Sequence, residues 1–251
     1  MRDDSHVRGA GVKVSRVIVC SLAVGGWYPR GAARLITEME RVSPGYEVKV
    51  WVNTLPFGAP ADVVEAGYNY TAYCAKPFAL LAAHTAGADI AILVDAAMYP
   101  IRPIHPLVDH IAQTGYFFCR NGNRVGDWCS DRAMERMGQT RKKLDEMEEI
   151  SSYCVGLNFA DGRCIELLHR WCGFSADRLT VPGPHTGLMH EGRNRGFVSV
   201  NPRVKGHRHD QTVLSVLAHQ IGMGKLVSRP KFTAYKGSSG EETVFENWGG
   251  I

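Results

Sequence analysis

An apolar strand that ends on a single carboxylate is the most informative chemical feature of this sequence. The run 88–94 is mostly apolar and is followed directly by Asp95. Such a run is typical of a parallel strand covered on both faces, and ligands of parallel sheets collect outside the carboxyl ends of the strands. The next residues include Pro100 and Pro103, which disfavour an immediate helix. We therefore expect Asp95 at the edge of a ligand site.

A dense group of basic and imidazole side chains is the second feature. It falls in a stretch rich in glycine, asparagine and proline, which predicts a loop, and contains Arg193, Arg195, Arg203, Lys205, His207, Arg208 and His209. Such a loop would suit an anionic ligand. A solvated basic loop without a ligand is the alternative.

The composition limits the class of protein. The chain has 251 residues, of which 45% are hydrophobic and 22% charged, and this is ordinary for one large globular α/β domain. The net charge of +4 is well short of that of a dedicated nucleic-acid-binding domain. We find no membrane segment and no export signal, which predicts a cytoplasmic protein. Seven scattered cysteines without a CxxC pair predict reduced thiols in the core.

Alternating strand and helix patterns predict the order of the elements. We expect strands at 14–20, 46–53, 88–94, 116–119 and 154–159, and helices at 32–42, 70–86, 107–114, 131–150, 162–172 and 210–221. The helix at 131–150 should lie on the surface, because its apolar residues are sparse. These elements predict one domain at 14–235, a flexible N-terminus at 1–13 and a C-terminal tail at 236–251 that either closes over a site or is disordered.

Three separated segments carry a family resemblance. They are the Asp95 loop Asp-Ala-Ala-Met-Tyr-Pro-Ile-Arg-Pro, the segment 73–77 Tyr-Cys-Ala-Lys-Pro, and the segment 206–211 Gly-His-Arg-His-Asp-Gln. On these residues the chain resembles the GT-A-type glycosyltransferases and is similar to poorly characterised viral and bacterial glycosyltransferase-like proteins. The resemblance spans 14–235. It implies an α/β fold with a mixed, mostly parallel central sheet flanked by helices and a Rossmann-like N-terminal half.

The resemblance also implies a binding site for a nucleotide-sugar donor. The donor-binding residues would be Ser21, Lys76, Asp95, Ala97, Arg102, Asn158 and Arg208. Two of them have structural alternatives: Lys76 could extend to solvent, and Asn158 could bond to its own turn. Trp27 and Tyr28 could stack on the nucleotide base or simply cover core.

The residues leave the use of a metal ion open. Ala97 stands where the second carboxylate of an Asp-x-Asp metal motif would be. Asp95 could still hold Mn²⁺ or Mg²⁺ together with phosphate oxygens, water and the imidazole of His207 or His209. Alternatively, the diphosphate charge is neutralised without an ion by Lys76, Arg102 and Arg208.

Sugar transfer to a hydroxyl requires a group that receives the hydroxyl proton, and a nearby carboxylate is the usual one. Asp210 is our first candidate for this catalytic base, and Asp131 is the second because Trp128 beside it could form an acceptor wall. Each has a structural alternative as a helix N-cap, a role that Ser130 could also take. The proposed chemistry needs Asp95 and Asp210 to lie close together in the folded chain.

The sequence therefore predicts an enzyme, a hexosyl- or pentosyltransferase that moves a sugar from a nucleotide-sugar such as a UDP-sugar to an acceptor hydroxyl. The basic loop, the segment 127–131 and the resemblance to viral proteins favour double-stranded DNA bearing 5-hydroxymethylcytosine as the acceptor. If the protein is viral, its location would be the host cytoplasm. A glycan or a lipid-linked sugar is the alternative acceptor. Ala97 prompts another alternative, a non-catalytic protein that binds nucleotide-sugars or nucleic acid.

Overall fold

A five-stranded sheet forms the centre of the computed structural model, which describes residues 16–59, 68–182 and 198–248. Its strand order is β2-β1-β3-β6-β5, and only β6 runs against the others. This arrangement confirms the predicted mixed, mostly parallel sheet. The strands are β1 Val17–Ala23, β2 Glu47–Val52, β3 Ile90–Val94, β5 Tyr116–Arg124 and β6 Glu148–Asn158.

Helices cover both faces of this sheet. Alternate β3 residues point to opposite sides: Ala91 and Leu93 pack with the layer of α2, α6 and α7, whereas Ile90 and Ile92 pack with α1 and α3. The two apolar layers explain why the β3 sequence is continuously apolar. No helix in the described ranges is long and apolar enough to cross a membrane. The helices are α1 Tyr28–Val42, α2 Tyr68–Thr85, α3 His105–Thr114, α4 Asp131–Arg136, α5 Arg141–Glu146, α6 Gly162–Ala176 and α7 His209–Gln220.

A second, three-stranded sheet begins within the Asp95 loop. It consists of β4 Met98–Pro100, β8 Thr243–Asn247 and β7 Phe232–Tyr235, in that order. Within the segment 236–251 that the sequence analysis treated as a tail, residues 243–247 form β8, which pairs with β4. The amide of Trp248 donates to the carbonyl of Ala97 at 3.1 Å, so the C-terminal strand supports the loop that carries Asp95. The N-terminal segment 1–13 lies outside the described residues.

The predicted helix at 131–150 is instead two short helices followed by the start of β6. Gly138 follows α4 with φ +63°, a conformation that glycine adopts without steric cost. Thr140 then caps α5 by accepting a hydrogen bond from the amide of Lys143 at 3.4 Å. The predicted reduced thiols are confirmed, since all seven cysteines are buried and none forms a disulfide.

Gly31 fixes the distance between α1 and the loop that follows β3. A Cβ atom at this position would overlap the carbonyl oxygen of Ala96, the residue next to Asp95. We expect Gly31→Ala to lower the free energy of unfolding by about 1–3 kcal/mol, because the backbone cannot yield as a side chain can. Gly173→Ala is the matched control within a helix. It has open space around it and should raise the stability by about 0.5–1 kcal/mol. Urea denaturation would measure both, and equal effects would contradict the close approach.

Candidate functional site

One lysine joins the two carboxylates that the sequence analysis expected to converge. Lys76 Nζ lies 2.9 Å from Asp95 Oδ1 and 2.9 Å from Asp210 Oδ2. Asp95 keeps 33% of its side-chain surface exposed, whereas Lys76 keeps 7% and Asp210 keeps 2%. The arrangement, called here the Lys76 centre, therefore presents Asp95 to solvent and encloses Asp210 behind the lysine.

The fold builds this centre where β3 ends. The amide of Asp95 donates to the carbonyl of Tyr153 at 2.8 Å, so the residue after β3 is held by β6. Lys76 reaches the same strand from α2, because its Nζ donates to the carbonyl and the hydroxyl of Ser152 at 3.3 and 3.2 Å. Helix α7 contacts β6 where the register between β5 and β6 shifts: the side chain of Gln211 accepts from the amide of Ser152 at 3.4 Å.

The position of Asp210 in α7 follows from the same contacts. Arg208 occupies the N-cap position of α7 and makes no side-chain capping bond. Asp210 therefore does not adopt the alternative N-cap role, and its carboxylate lies in the first turn, where the helix dipole favours a negative charge.

The ammonium and the two carboxyl groups of the Lys76 centre affect one another's pKa values. Burial lowers the pKa of Lys76, but Asp210 and Asp95 outweigh this effect and the pKa is raised, so the ammonium stays protonated. Burial raises the pKa of Asp95 above its ordinary value, although Lys76 opposes the shift. The centre therefore holds one protonated lysine between two carboxyl groups.

Two aromatic pairs flank this group. Tyr73 stacks on His209 with a centroid separation of 5.2 Å, and its ring lies 5.6 Å from Lys76 Nζ. Trp27 and Tyr28 stack on each other at 4.5 Å at the start of α1. Burial, and to a lesser extent the charge of Asp95, raise the pKa of Tyr28.

Three solved structures share this architecture. A glycosyltransferase involved in the glycosylation of the major capsid of PBCV-1 is 11% identical with a TM-score of 0.54, over 94% of this chain and 95% of that one. Mouse xyloside xylosyltransferase 1 is 10% identical with a TM-score of 0.51, over 93% and 97%. The WbbM bifunctional glycosyltransferase is 10% identical with a TM-score of 0.50, over 96% of this chain and 46% of that one.

The chain shares its fold with these three glycosyltransferases. At identities of 10 and 11% the likeness establishes the fold, and the activity has to be argued from the site. At the level of sequence, no protein-family model and no curated protein matches the chain.

The residues of the Lys76 centre do not fit a divalent cation. Asp95 already shares one oxygen with an ammonium group, and Ala97 supplies no ligand. Within the described ranges no three His, Cys, Asp or Glu side chains are grouped as a metal site requires. Asp95, the predicted carboxylate ligand of the metal ion, is thus a partner of Lys76 instead.

His207, one of the two expected imidazole ligands, is a structural residue. Its Nε2 donates to the carbonyls of Thr180 and Val181 at 3.0 and 3.1 Å, and its Nδ1 accepts from the amide of Ser130 at 3.3 Å. Both ring nitrogens are therefore engaged, which corrects the metal prediction for this residue. His209 uses Nδ1 to donate to the carbonyl of Val181 at 3.0 Å.

The lowered pKa of His207 predicts how the stability of the protein depends on pH. Burial and the neighbouring His209 lower it from 6.5 to about 3. An imidazole that is neutral when folded stabilises the protein above pH 6.5, and this stability is lost as the pH falls toward 3. We expect the free energy of unfolding to fall by up to about 1.4 kcal/mol per pH unit below pH ~6 through this residue. Urea denaturation at several pH values should show a shallower dependence for His207→Gln, and an unchanged dependence would contradict the assignment.

Asp131, the second predicted catalytic residue, is occupied by structural contacts. Its Oδ1 accepts from Arg141 at 2.8 Å and from Ser199 at 2.6 Å, and its Oδ2 accepts from the amide of Val200 at 2.8 Å. Burial raises its pKa, but these donors outweigh burial and the pKa is lowered. Since a stabilised carboxylate is a weak base, the structure argues against the catalytic role. Ser130 is the N-cap of α4.

Two predicted donor-binding residues lie in structural positions. Asn158 pairs with Ile90 at the beginning of β3, the opposite end of the strand from Asp95. Its side chain accepts from the amide of Ala160 at 3.0 Å, which is the turn alternative. Arg102 donates to the carbonyls of Gly240 and Thr243 at 3.0 and 2.9 Å and so ties the second sheet to the Asp95 loop. The position of Asn158 argues against contact with a ligand at Asp95, whereas donor binding by Arg102 stays a prediction.

The other predicted donor-binding residues lie closer to the Lys76 centre. Ser21 is buried in β1, and β1 ends at the same sheet edge as β3. Its hydroxyl has no hydrogen-bond partner among the residues described. Ala97 lies on the Asp95 loop. Arg208 is two residues from Asp210, but its guanidinium is paired with Glu149 Oε2 at 3.0 Å.

Sequence reasoning missed Glu149, which is entirely buried although it carries a carboxylate. A signal was present, because Glu149 is followed by the long strand-like run that ends at Asn158. An acidic residue within such a strand needs a buried partner, and Arg208 provides it. Tyr73 belonged to a segment that the resemblance singled out, but its stacking on His209 depends on the fold.

Proposed function

We propose that this protein is a glycosyltransferase that moves a sugar from a nucleotide-sugar to a hydroxyl group of a saccharide. The observation that carries the proposal is the Lys76 centre, in which one buried ammonium bridges Asp95 and Asp210 at 2.9 Å each. This group lies outside the carboxyl end of β3, where α/β sheets bind their ligands. The glycosyltransferase fold of the neighbours supports the same function.

The reaction breaks the bond between the anomeric carbon and the phosphate oxygen of the donor. A new bond forms between that carbon and the acceptor oxygen. The nucleoside diphosphate leaves with the bonding electron pair, and the acceptor proton passes to a base. The protein therefore has to supply a proton acceptor and positive charge near the leaving phosphate.

We assign these roles from the exposed fraction of each side chain. Asp95 is the carboxylate that an acceptor hydroxyl can reach, so it is the proposed proton acceptor. Lys76 supplies the positive charge near the phosphates without a metal ion. Asp210 is 2% exposed, and its role is to position Lys76. This assignment differs from the sequence prediction, which put the base at Asp210, because the enclosed carboxylate lies behind the lysine.

A saccharide acceptor is favoured over DNA by the pairing of the basic residues. Arg203 is paired with Asp145 at 2.7 Å, Lys205 with Asp127 at 3.3 Å, and Arg208 with Glu149 at 3.0 Å. Their charge is therefore largely neutralised within the protein. A protein binds the phosphate backbone of DNA through Lys and Arg side chains that are free to pair with it. Arg193 and Arg195 lie outside the described residues.

The proposed function is tested with a panel of nucleotide-sugars in the presence of EDTA. The donor that binds should raise the melting temperature, because a ligand of the native state stabilises it. The same donor should be turned over when a mixture of oligosaccharides is added, with release of nucleoside diphosphate and no requirement for Mn²⁺. Donor binding without turnover would leave a non-catalytic binding protein. Turnover only with hydroxymethylated DNA would replace the saccharide acceptor.

A further inference from the structure

His209, the first residue of α7, has a backbone conformation that few side chains adopt. Its φ is +43°, in the left-handed region that residues other than glycine occupy at a steric cost. Such a conformation persists only where the surroundings hold the residue in place, and it is concentrated at functional sites. His209 directly precedes Asp210, the enclosed carboxylate of the Lys76 centre. The contacts that hold this imidazole therefore bear on the centre.

Three contacts hold the His209 ring, and the residue is 7% exposed. Its Nδ1 donates to the carbonyl of Val181 at 3.0 Å. The ring stacks on Tyr73, with planes 18° apart and centroids 5.2 Å apart, and it meets the ring of His207 edge-on at 5.4 Å. His207 is itself held by the carbonyls of Thr180 and Val181. The imidazole thus joins the start of α7 to α2 and to the segment after α6.

The first turn of α7 carries both groups through which this helix meets the Lys76 centre. Asp210 Oδ2 lies 2.9 Å from Lys76 Nζ. The next residue, Gln211, accepts from the amide of Ser152, whose carbonyl and hydroxyl accept from Lys76. The N-cap residue of α7 makes no side-chain capping bond. The contacts of His209 therefore help to fix the place of this turn.

We propose that His209 is a positioning residue, which holds Asp210 behind Lys76 and so keeps the ammonium between the two carboxyl groups. Its part in sugar transfer rests on the proposed function. Without this anchor the first turn of α7 is free to shift and to take Asp210 with it. Lys76 then pairs with Asp95 alone.

The carboxyl group of Asp95 reports such a shift through its pKa. Lys76 lowers this pKa and Asp210 raises it. Withdrawal of Asp210 lowers it for two reasons, because the like charge is gone and the ammonium is no longer shared. Three further titratable groups interact with the charge of Asp95, and they are Tyr28 of α1, Tyr73 of α2 and Cys154 of β6. Burial raises the pKa of each, so they stay uncharged near neutral pH.

The test is a pH titration of the Asp95 carboxyl signal by ¹³C NMR, which needs neither donor nor acceptor. Asp95→Asn identifies the signal by its loss. His209→Gly removes the ring but permits the left-handed backbone, which glycine adopts without steric cost. We expect this variant to lower the titration midpoint by at least about 0.5 pH units. The rise of the transfer rate with pH should move by the same amount.

Two variants control for the loss of an imidazole. His219→Gly removes one from the other end of α7, where Nε2 donates to the carbonyl of Glu148 at 2.9 Å, and it should leave the midpoint unchanged. His209→Asn is the conservative replacement, because asparagine tolerates the left-handed region and its amide can donate to Val181. Its midpoint should lie between those of the wild type and His209→Gly. If His209→Gly fails to fold, a wild-type midpoint in His209→Asn would overturn the inference.

The outcomes separate this inference from the proposed function. An unchanged midpoint in His209→Gly, or an equal shift in His219→Gly, would overturn the positioning role. A higher midpoint would also overturn it, because His209 would then act on Asp95 through a positive charge of its own. A lower midpoint confined to the His209 variants would support the role whether or not sugar is transferred. Absence of transfer by the wild type would then overturn the proposed enzyme alone.

Discussion

Replacing Lys76 with methionine is expected to abolish sugar transfer and to destabilise the protein. The substitution keeps the length of the side chain but leaves Asp95 and Asp210 facing each other without the ammonium that lies 2.9 Å from both. Removing one partner of a buried ion pair costs about 3–5 kcal/mol. Losing a charged donor near the leaving group costs about a hundredfold or more in rate. Urea denaturation and nucleoside diphosphate release would measure the two effects.

A double variant separates the effect of Lys76→Met on stability from its effect on the transfer rate. Combining Lys76→Met with Asp210→Asn removes the enclosed negative charge, so we expect much of the lost stability to return while transfer stays lost. Lys205→Met is the control for the removal of a lysine, because its pair with Asp127 is partly exposed. It should change the stability by less than about 1 kcal/mol. Normal transfer by Lys76→Met would show that the lysine is only structural.

Replacing Asp95 with asparagine is expected to slow transfer by about 10²- to 10⁴-fold, because the acceptor hydroxyl loses its proton acceptor. The stability should change little, since the side chain is 33% exposed and Lys76 keeps Asp210 as a partner. Only the ionised carboxylate accepts a proton. Because burial raises the pKa of Asp95, the wild-type rate should rise with pH through a value above the ordinary one for aspartate. This rise should vanish in Asp95→Asn.

Asp210→Asn is the matched variant, because it also replaces a carboxylate by an amide of the same shape. We expect it to lower both the rate and the stability, since Lys76 then keeps only the partly exposed Asp95 as a charged partner. The rise of the remaining rate with pH should persist. A lost pH dependence in Asp210→Asn, with a normal one in Asp95→Asn, would return the base to Asp210, where the sequence analysis had put it.

The sequence by itself determined the elements that depend on local pattern. The continuous apolar run before Asp95 indicated a strand covered on both faces, and Ile90 to Val94 is buried against helices on each side. The segments around Lys76, Asp95 and Asp210 were also identified, because each motif is short and contiguous. The prediction of one helix at 131–150 was wrong, because Gly138 and Thr140 divide this segment into two short helices.

Only the tertiary structure decided which of these residues share a site. Asn158 and Asp95 are both at strand ends, but β6 runs antiparallel to β3, and this direction puts them at opposite ends of the sheet. Lys76 bridges the carboxylates, and Glu149 is buried against Arg208, through contacts between residues 19 to 134 positions apart. Strand direction and long-range pairing are set by the packing of the whole chain, because the pattern of one segment is compatible with several partners.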